Sequence, residues 1–328
     1  SDGASATEIA LKMSFHYWRN TGRPEKTGFV SLQNGYHGET LGALSVTDVA
    51  LFKDTYAPLL RHSHQAPSPD PRLASPGVSA AEHARRAAAD LDVWLAAHAE
   101  TTAAVIVEPL VQGAAGMAMY DPTYLAAVRA SCDRHGVHLI ADEIAVGFGR
   151  TGTMFACEQA GIRPDFMCLS KGITGGYLPL SAVLTRDEIY AAFYDDRTAR
   201  GFLHSHSYTG NPLACRAALA VLDIFAEDDV LNMNRAKAAR FDALFARITR
   251  HPRVRHARRT GMIWAFDIVD AGPDFPALFQ HGALERGVLL RPIGASLYFM
   301  PPYVVGDPEA RLLADVTEYL LDSLPGSA

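Results

Sequence analysis

Two nearly uniform apolar runs, each followed by a charged residue, constrain the fold of this chain most strongly. The first run covers residues 137–141 and is followed by Asp142. The second covers residues 165–170 and is followed by Lys171, 29 positions after Asp142. That separation fits one strand-helix-strand unit. We therefore expect an acid and an amine at the carboxyl ends of neighbouring parallel strands, where open α/β sheets bind their ligands.

Strand and helix patterns alternate through the first two thirds of the chain. Besides the two runs, strands are predicted at residues 28–32, 103–107 and 180–185, and helices at 9–13, 80–99 and 122–134. The stretch 62–78 contains four prolines and is predicted to be an irregular surface loop. Apolar strands that alternate with helices indicate an α/β fold with a mostly parallel sheet covered on both faces.

The pattern changes from about residue 221 onward. A long helix rich in Ala and Arg comes first, and strands are then predicted at 261–269, 287–291 and 297–300. We interpret this as a large α/β domain over residues 1–225, followed by a smaller α+β C-terminal domain over residues 226–328.

Charge and cysteine content narrow the possible partners and the compartment. The formal net charge of −6 gives no basic field for nucleic acid. No apolar stretch reaches the roughly 18 residues of a membrane span. The four cysteines lack CxxC spacing, and His204 and His206 have no carboxylate or cysteine partner at metal-ligand spacing. We expect a cytoplasmic protein with reduced thiols and no metal, membrane or nucleic-acid partner.

The acid and the amine together suggest a specific chemistry. A strand-end lysine beside a glycine-rich loop is expected to be partly desolvated, which lowers its pKa and makes its amine a usable nucleophile. Such an amine can form an imine with the aldehyde of pyridoxal phosphate, while a carboxylate keeps the pyridine nitrogen protonated. Taken singly, neither residue is specific, because a strand-end lysine such as Lys171 more often points into water, and Asp142 with Glu143 could simply cap the following segment.

Other candidates are weaker when each is considered alone. The N–H groups of Gly3 and Ala4 at a helix start could bind a phosphate, and Tyr36 between glycines could stack on a flat ring. Hydroxyl groups in the segment 204–212 could donate to a phosphate. Arg291, near a predicted strand end, could bind a substrate carboxylate, or could be a surface arginine.

Several ordered motifs resemble the class III pyridoxal-phosphate aminotransferases over nearly the whole chain. The core of the resemblance is IADEIAVGFGRTG at 140–152, followed by SKG at 170–172 and Gly175-Gly176. Within the class, the chain is similar to the members that serve biotin synthesis. That second likeness depends on SDGA at 1–4, KM at 12–13 with YW at 17–18, NGYHGET at 34–40, and RP at 291–292 with LYFMPPY at 297–303.

The resemblance implies a fold type I enzyme that binds pyridoxal 5'-phosphate. Lys171 would hold the cofactor and later move a proton, Asp142 would bind the pyridine nitrogen, and Tyr36 would stack on the ring. Gly3 and Ala4 would bind the phosphate through their N–H groups.

The resemblance also implies a homodimer with active sites at the interface, and small-molecule substrates, 8-amino-7-oxononanoate and S-adenosylmethionine. Ser207 would reach the phosphate in the neighbouring subunit. Arg291 would bind the carboxylate of the oxononanoate, with Tyr36 and Tyr298 nearby. Glu108 would lie behind the residues that touch the cofactor.

Departures from the family pattern leave alternatives open. Ala4 stands where some relatives have Ser, and Ser207 where Thr is usual. Family members carry a further segment before Ser1, so a chain that begins there is expected to have weak or no activity, and the donor-selecting residues cannot be named. Lysine is an alternative amino donor. The rival functions are another class III ω-amino acid aminotransferase that binds its acid through Arg150 or Arg291, an aminomutase, and a cofactor-free scaffold.

Overall fold

A computed structural model describes residues 1–323 and has a six-stranded sheet at its centre. The strand order is β2-β1-β3-β6-β7-β8. All pairs are parallel except β7 with β8, which is antiparallel. The strands of this sheet are β1 Gly28–Leu32, β2 His64–Ala66, β3 Thr102–Val107, β6 His138–Asp142, β7 Phe166–Leu169 and β8 Ala182–Thr185. A separate hairpin pairs β4 Val111–Gln112 with β5 Ala118–Met119.

Helices cover both faces of the sheet, which explains the uniform apolar character of its strands. All six residues of β3 are buried. Val105 and Val107 pack in one core cluster with α4 (Ala80–His98) and α5 (Thr123–His135), whereas Ala104 and Ile106 pack in another with α1 (Gly3–Asn20). Because successive side chains of a strand point to opposite faces, a strand covered on both sides must be apolar throughout.

The C-terminal part forms a second, smaller layered unit. An antiparallel sheet in the order β11-β10-β9 uses β9 Val254–Thr260, β10 Ile263–Ile268 and β11 Ser296–Phe299. Its core is rich in aromatic residues and is shared with α8 Val230–Thr249, α9 Phe275–Leu284 and α10 Asp307–Ser323. The remaining helices are α2 Leu41–Val46, α3 Ala50–Lys53, α6 Asp187–Ala191 and α7 Pro212–Glu227. Residues 324–328 of the predicted small domain lie outside the described part, and the boundary near residue 225 stays a prediction.

Three predicted elements were wrong. The stretch 62–78 is not entirely a loop, because β2 pairs with β1 before the first proline and buries Ala66. Residues 287–291 form no strand, since β9 and β11 occupy both edges of β10 and Val288 N–H instead closes the end of α9 on Ala283. The long helix is two helices, α7 and α8, separated at Asp229, which has a φ of 46°.

Candidate active site

Asp142 and Lys171 lie at the same edge of the large sheet. Strand β6 ends at Asp142, which is paired with Cys168 of the neighbouring parallel strand β7. The N–H of Glu143 donates to the carbonyl of Cys168 at 3.0 Å, and Lys171 follows three residues later. The register of the two strands therefore places the acid and the amine at one carboxyl edge, as the spacing predicted.

The carboxylate of Asp142 is buried and held on both oxygens. One oxygen, Oδ2, lies 2.7 Å from Nδ1 of His37, and Oδ1 accepts a bond from the N–H of Ile144 at 3.2 Å. The N–H of His37 donates to Thr47 Oγ1 at 3.0 Å, which fixes the histidine backbone. Within the described residues, His37 Nε2 is buried without a hydrogen-bond partner. Sequence reasoning did not single out His37, although it stands next to Tyr36.

Lys171 begins a single 3₁₀ turn, Lys171–Thr174, with a φ of +45°. Its side chain is exposed and makes no hydrogen bond or ion pair with the described residues. The expected partial desolvation is not seen in the single chain, where the Lys171 side chain is exposed.

Tyr36 lies half-buried between two acids. Its hydroxyl donates to Glu39 at 2.8 Å, and its ring lies 5.2 Å from that of Phe52. Burial, together with the bond to Glu39, raises the pKa of the Tyr36 phenol to about 12, so this hydroxyl stays protonated at neutral pH. Its N–H donates to Glu108 at 2.9 Å.

Glu108 is a buried acid at the end of β3. It accepts N–H bonds from Tyr36 and Gly113, each at 2.9 Å. Burial raises the pKa of this carboxyl to about 7, and the negative charge of Asp142 acts in the same direction, whereas His37 and the two N–H bonds oppose the rise. Glu108 thus lies close enough to Asp142 and His37 for both to affect the pKa of its carboxyl.

The start of α1 faces the loop that contains His37. Asp2 caps the helix by accepting the N–H of Ser5 at 3.0 Å, and no described residue accepts the N–H groups of Gly3 or Ala4. Gly38 packs against Ala4 so closely that a Cβ at position 38 would lie 2.6 Å from that of Ala4. The helix start and the Tyr36–His37 loop therefore form one packed unit.

Ser207 lies on an exposed loop near the start of the same helix. Nε2 of its neighbour His206 lies 3.4 Å from the backbone nitrogen of Ser1, and His204 Nδ1 lies 2.8 Å from Nζ of Lys12. The Ser207 hydroxyl makes no hydrogen bond with the described residues, so it is available to a ligand. In residues 1–323, no three His, Cys, Asp or Glu side chains are grouped in a way that could hold a metal ion, and no helix is long and apolar enough to cross a bilayer.

The predicted substrate residues lie in the C-terminal part of the chain. Arg291 is exposed and forms no ion pair with the described residues, and Tyr298 is half-buried in β11 opposite Ala265. No hydrogen bond or ring contact among residues 1–323 joins either of them to Asp142, Lys171 or Tyr36. The single chain thus leaves the guanidinium of Arg291 free for an external acid.

The chain matches the family model of class III aminotransferases over residues 1–321. A protein of Helicobacter pylori named adenosylmethionine-8-amino-7-oxononanoate aminotransferase is 44% identical, in an alignment that covers 98% of this chain and 74% of that protein. A protein of the same name from Aquifex aeolicus is 40% identical, with the same two coverages.

Solved structures show the same likeness in three dimensions. The crystal structure of the Methanocaldococcus jannaschii protein of that name matches with a TM-score of 0.89 at 34% identity, over 98% of this chain and 74% of that one. An (S)-enantioselective ω-transaminase from Thermomicrobium roseum matches with a TM-score of 0.92 at 31% identity, over 98% and 73% of the two chains. An amine transaminase from an uncultivated Pseudomonas species, solved in its PLP-bound form, matches with a TM-score of 0.89 at 35% identity, over 98% and 75%.

Proposed function

This chain belongs to the class III aminotransferases, and we propose that it transfers an amino group from S-adenosylmethionine to 8-amino-7-oxononanoate in biotin synthesis. The observation that carries the proposal is the shared name of the curated relatives, which are between 33% and 44% identical to this chain over more than nine tenths of its length. The RP and LYFMPPY motifs of the C-terminal part support the same acceptor.

The residues at the sheet edge fit pyridoxal phosphate as the cofactor. Lys171 offers an amine without a partner in the described chain, and Asp142 offers a buried carboxylate. Gly3 and Ala4 offer N–H groups at the start of an 18-residue helix, which suits a phosphate. When bound, the cofactor supplies an aldehyde that takes up the amino group and a ring that accepts electrons.

Three residues at the sheet edge have different tasks in this proposal. Asp142, oriented by His37, would bind the ring nitrogen and keep it protonated. Lys171 would hold the cofactor and would move a proton at the substrate carbon, a contribution of about 10²–10⁴-fold. Tyr36 packs on the ring and helps to exclude water.

Binding of the acceptor is assigned to the C-terminal part. Arg291 binds the carboxylate of the oxononanoate through two parallel N–H bonds, the geometry that its planar guanidinium favours. Tyr298 lines the same pocket together with Tyr36.

We propose a homodimer in which Ser207 contacts the cofactor phosphate of the neighbouring subunit. Helix α7 supports this assembly, because its exposed side chains include Leu213, Leu219 and Leu222. Its buried residue Ala218 packs with Ile173 of the turn that begins at Lys171. A second copy packed against α7 would thus lie near the turn that begins at Lys171.

The proposal is tested by measuring amino transfer to 8-amino-7-oxononanoate and to pyruvate, with S-adenosylmethionine and lysine as alternative donors. Transfer from S-adenosylmethionine to the oxononanoate, together with failure on pyruvate, is the expected result. Lys171→Ala should abolish both the turnover and the visible absorbance of the bound cofactor. Turnover that survived this substitution would remove Lys171 from the mechanism.

A second candidate is transfer between an ω-amino acid or amine and pyruvate. The TM-score of 0.92 with the Thermomicrobium roseum ω-transaminase favours it. In that case Arg150 or Arg291 binds the acid, and pyruvate becomes the better acceptor in the same assay.

A further inference from the structure

The loop after β11 reaches across to the segment between Asp142 and Lys171. The hydroxyl of Tyr303 donates to the carbonyl of Phe148 at 2.7 Å. The guanidinium of Arg150 lies over the Tyr303 ring at 4.4 Å from its centroid, and its Nη1 donates to the carbonyl of Pro301 at 2.8 Å. Lys237 also donates to the carbonyl of Tyr303. The PPY part of the C-terminal motif is therefore attached to the GFGR part of the central motif.

Phe148 in turn packs against the residue that follows Lys171. A Cβ at Gly172 would lie 2.9 Å from Cβ of Phe148 and 3.0 Å from its ring atom Cδ2. The Phe148 side chain is buried in one cluster with Leu169 and Ile173, on either side of the lysine. The position of the Phe148 side chain thus limits where the backbone at Lys171 can lie.

Both Phe148 and Lys171 have a left-handed backbone. Their φ angles are +54° and +45°. Residues other than glycine rarely adopt this conformation, because Cβ approaches the carbonyl oxygen, and they keep it only where surrounding contacts impose it. At Phe148, the bond from Tyr303 to the carbonyl oxygen is such a contact, since it fixes the orientation of the peptide that follows the strained φ.

We propose that Tyr303 is a positioning residue for Lys171. Its hydroxyl holds the peptide of Phe148, the Phe148 side chain supports Gly172, and Gly172 sets the backbone from which the Lys171 side chain extends. Among the described residues Tyr303 makes no hydrogen bond or ring contact with Asp142 or Lys171, and its link to Lys171 runs through Phe148. The inference rests on the proposed function in one respect, that Lys171 is the residue that reacts with pyridoxal phosphate.

The test compares Tyr303→Phe with a matched control in the full chain. Tyr319→Phe makes the same change on α10, where Arg286 lies over the ring at 4.3 Å, as Arg150 does over Tyr303. Cofactor-free protein is mixed with pyridoxal phosphate, the adduct is fixed with borohydride at timed intervals, and the labelled Lys171 peptide is quantified by mass spectrometry. We expect Tyr303→Phe to slow labelling about 2- to 10-fold, the range for loss of one hydrogen bond, and Tyr319→Phe to match the wild type.

Two further measurements separate positioning from general stability. The pH profile of the cofactor absorbance should shift in Tyr303→Phe and not in Tyr319→Phe, whereas a merely structural tyrosine would lower only the melting temperature. Phe148→Leu keeps the carbonyl that Tyr303 binds but removes the ring beside Gly172, and it should slow labelling as well. This variant also carries the test if Tyr303→Phe fails to fold.

The outcomes distinguish the inference from the proposed function. A wild-type labelling rate in Tyr303→Phe, or in Phe148→Leu if Tyr303→Phe does not fold, would overturn the role of Tyr303 and leave the function intact. Absence of a Lys171 adduct in the wild-type protein would overturn both.

Discussion

Adjacent acids at the end of β6 perform different tasks. Asp142 points to His37, whereas Glu143 points to the other side and accepts the N–H groups of Ala156 at 2.9 Å and Cys157 at 2.8 Å. Successive strand residues face opposite ways, so one carboxylate meets the ligand edge and the other caps a 3₁₀ turn. The sequence left Asp142 open between a functional acid and a cap of the following segment. In the structure Asp142 accepts the N–H of Ile144, and Glu143 accepts the N–H groups at the start of the 3₁₀ turn Ala156–Ala160.

His37→Leu should weaken cofactor binding. The change removes the bond between Nδ1 and the Asp142 carboxylate, and hydrogen bonds to charged groups contribute about 1.5–3 kcal/mol, which corresponds to roughly 10- to 150-fold in the dissociation constant of pyridoxal phosphate. Spectroscopic titration of the cofactor-free protein with pyridoxal phosphate measures this dissociation constant. His135→Leu is the matched control, because Nε2 of His135 lies 2.9 Å from Asp92, an acid paired away from the sheet edge. Equal affinities in the two variants would contradict the role of His37.

Glu108 should make the free energy of unfolding fall with rising pH. Its pKa is raised from 4.5 to about 7 by burial, so between these values the folded protein holds a proton that the unfolded chain has lost. The full stabilisation is present below about pH 4.5 and is lost as the pH rises through 7, at most about 3 kcal/mol.

The Glu108→Gln variant isolates this effect in urea unfolding between pH 4.5 and 8. The stability difference, wild type minus variant, should decrease as the pH rises. A difference that stays constant, or that increases with pH, would show that Glu108 does not titrate in this range. Loss of one of its two N–H bonds should lower the stability of the variant by about 1 kcal/mol at every pH.

At the scale of elements, close contact between α1 and the loop after β1 depends on Gly38. This residue has a φ of +117°, and a Cβ there would lie 2.6 Å from Cβ of Ala4. Gly38→Ala should therefore lower the free energy of unfolding by about 1–3 kcal/mol more than Gly22→Ala. Gly22 is the matched control, because it has a φ of +82° and no atom within 4 Å of its Cβ position. Urea unfolding of both variants measures the difference. Equal losses of unfolding free energy would mean that backbone strain explains the effect at Gly38 and that the close contact with Ala4 adds nothing.

Elements with strong local signals were predicted nearly residue by residue. The strand predicted at 28–32 is β1, and the helix predicted at 80–99 is α4, Ala80–His98. Strand β2 was not predicted, because it has only three residues and is defined by its pairing with β1. The local sequence pattern contains no sign of that pairing. The segment 287–291 is apolar although it forms no strand. Its residue Leu290 packs in the core next to the smaller sheet, and the segment does not pair with that sheet.

At the scale of the molecule, helix α7 should hold two copies together. Leu213 and Leu219 are 72% and 51% exposed in the single chain. The double substitution Leu213→Asp with Leu219→Asp is expected to yield a monomer with little transaminase activity, as measured by light scattering after size exclusion. Leu284→Asp on α9 is the control, because Leu284 is also 51% exposed and lies on the smaller unit. A double variant that stays dimeric would place the interface elsewhere.

The sequence by itself determined the layered α/β architecture and the edge where Asp142 and Lys171 meet, because apolar periodicity and strand spacing are local properties. Only the tertiary structure decided which groups support these two residues. His37 forms a hydrogen bond with Asp142, and Tyr303 forms one with Phe148, whose side chain packs against Gly172 next to Lys171. His37 precedes Asp142 by 105 positions, and Tyr303 follows Phe148 by 155. Contacts between residues so far apart arise from the packing of complete elements, which the local pattern around either residue does not encode.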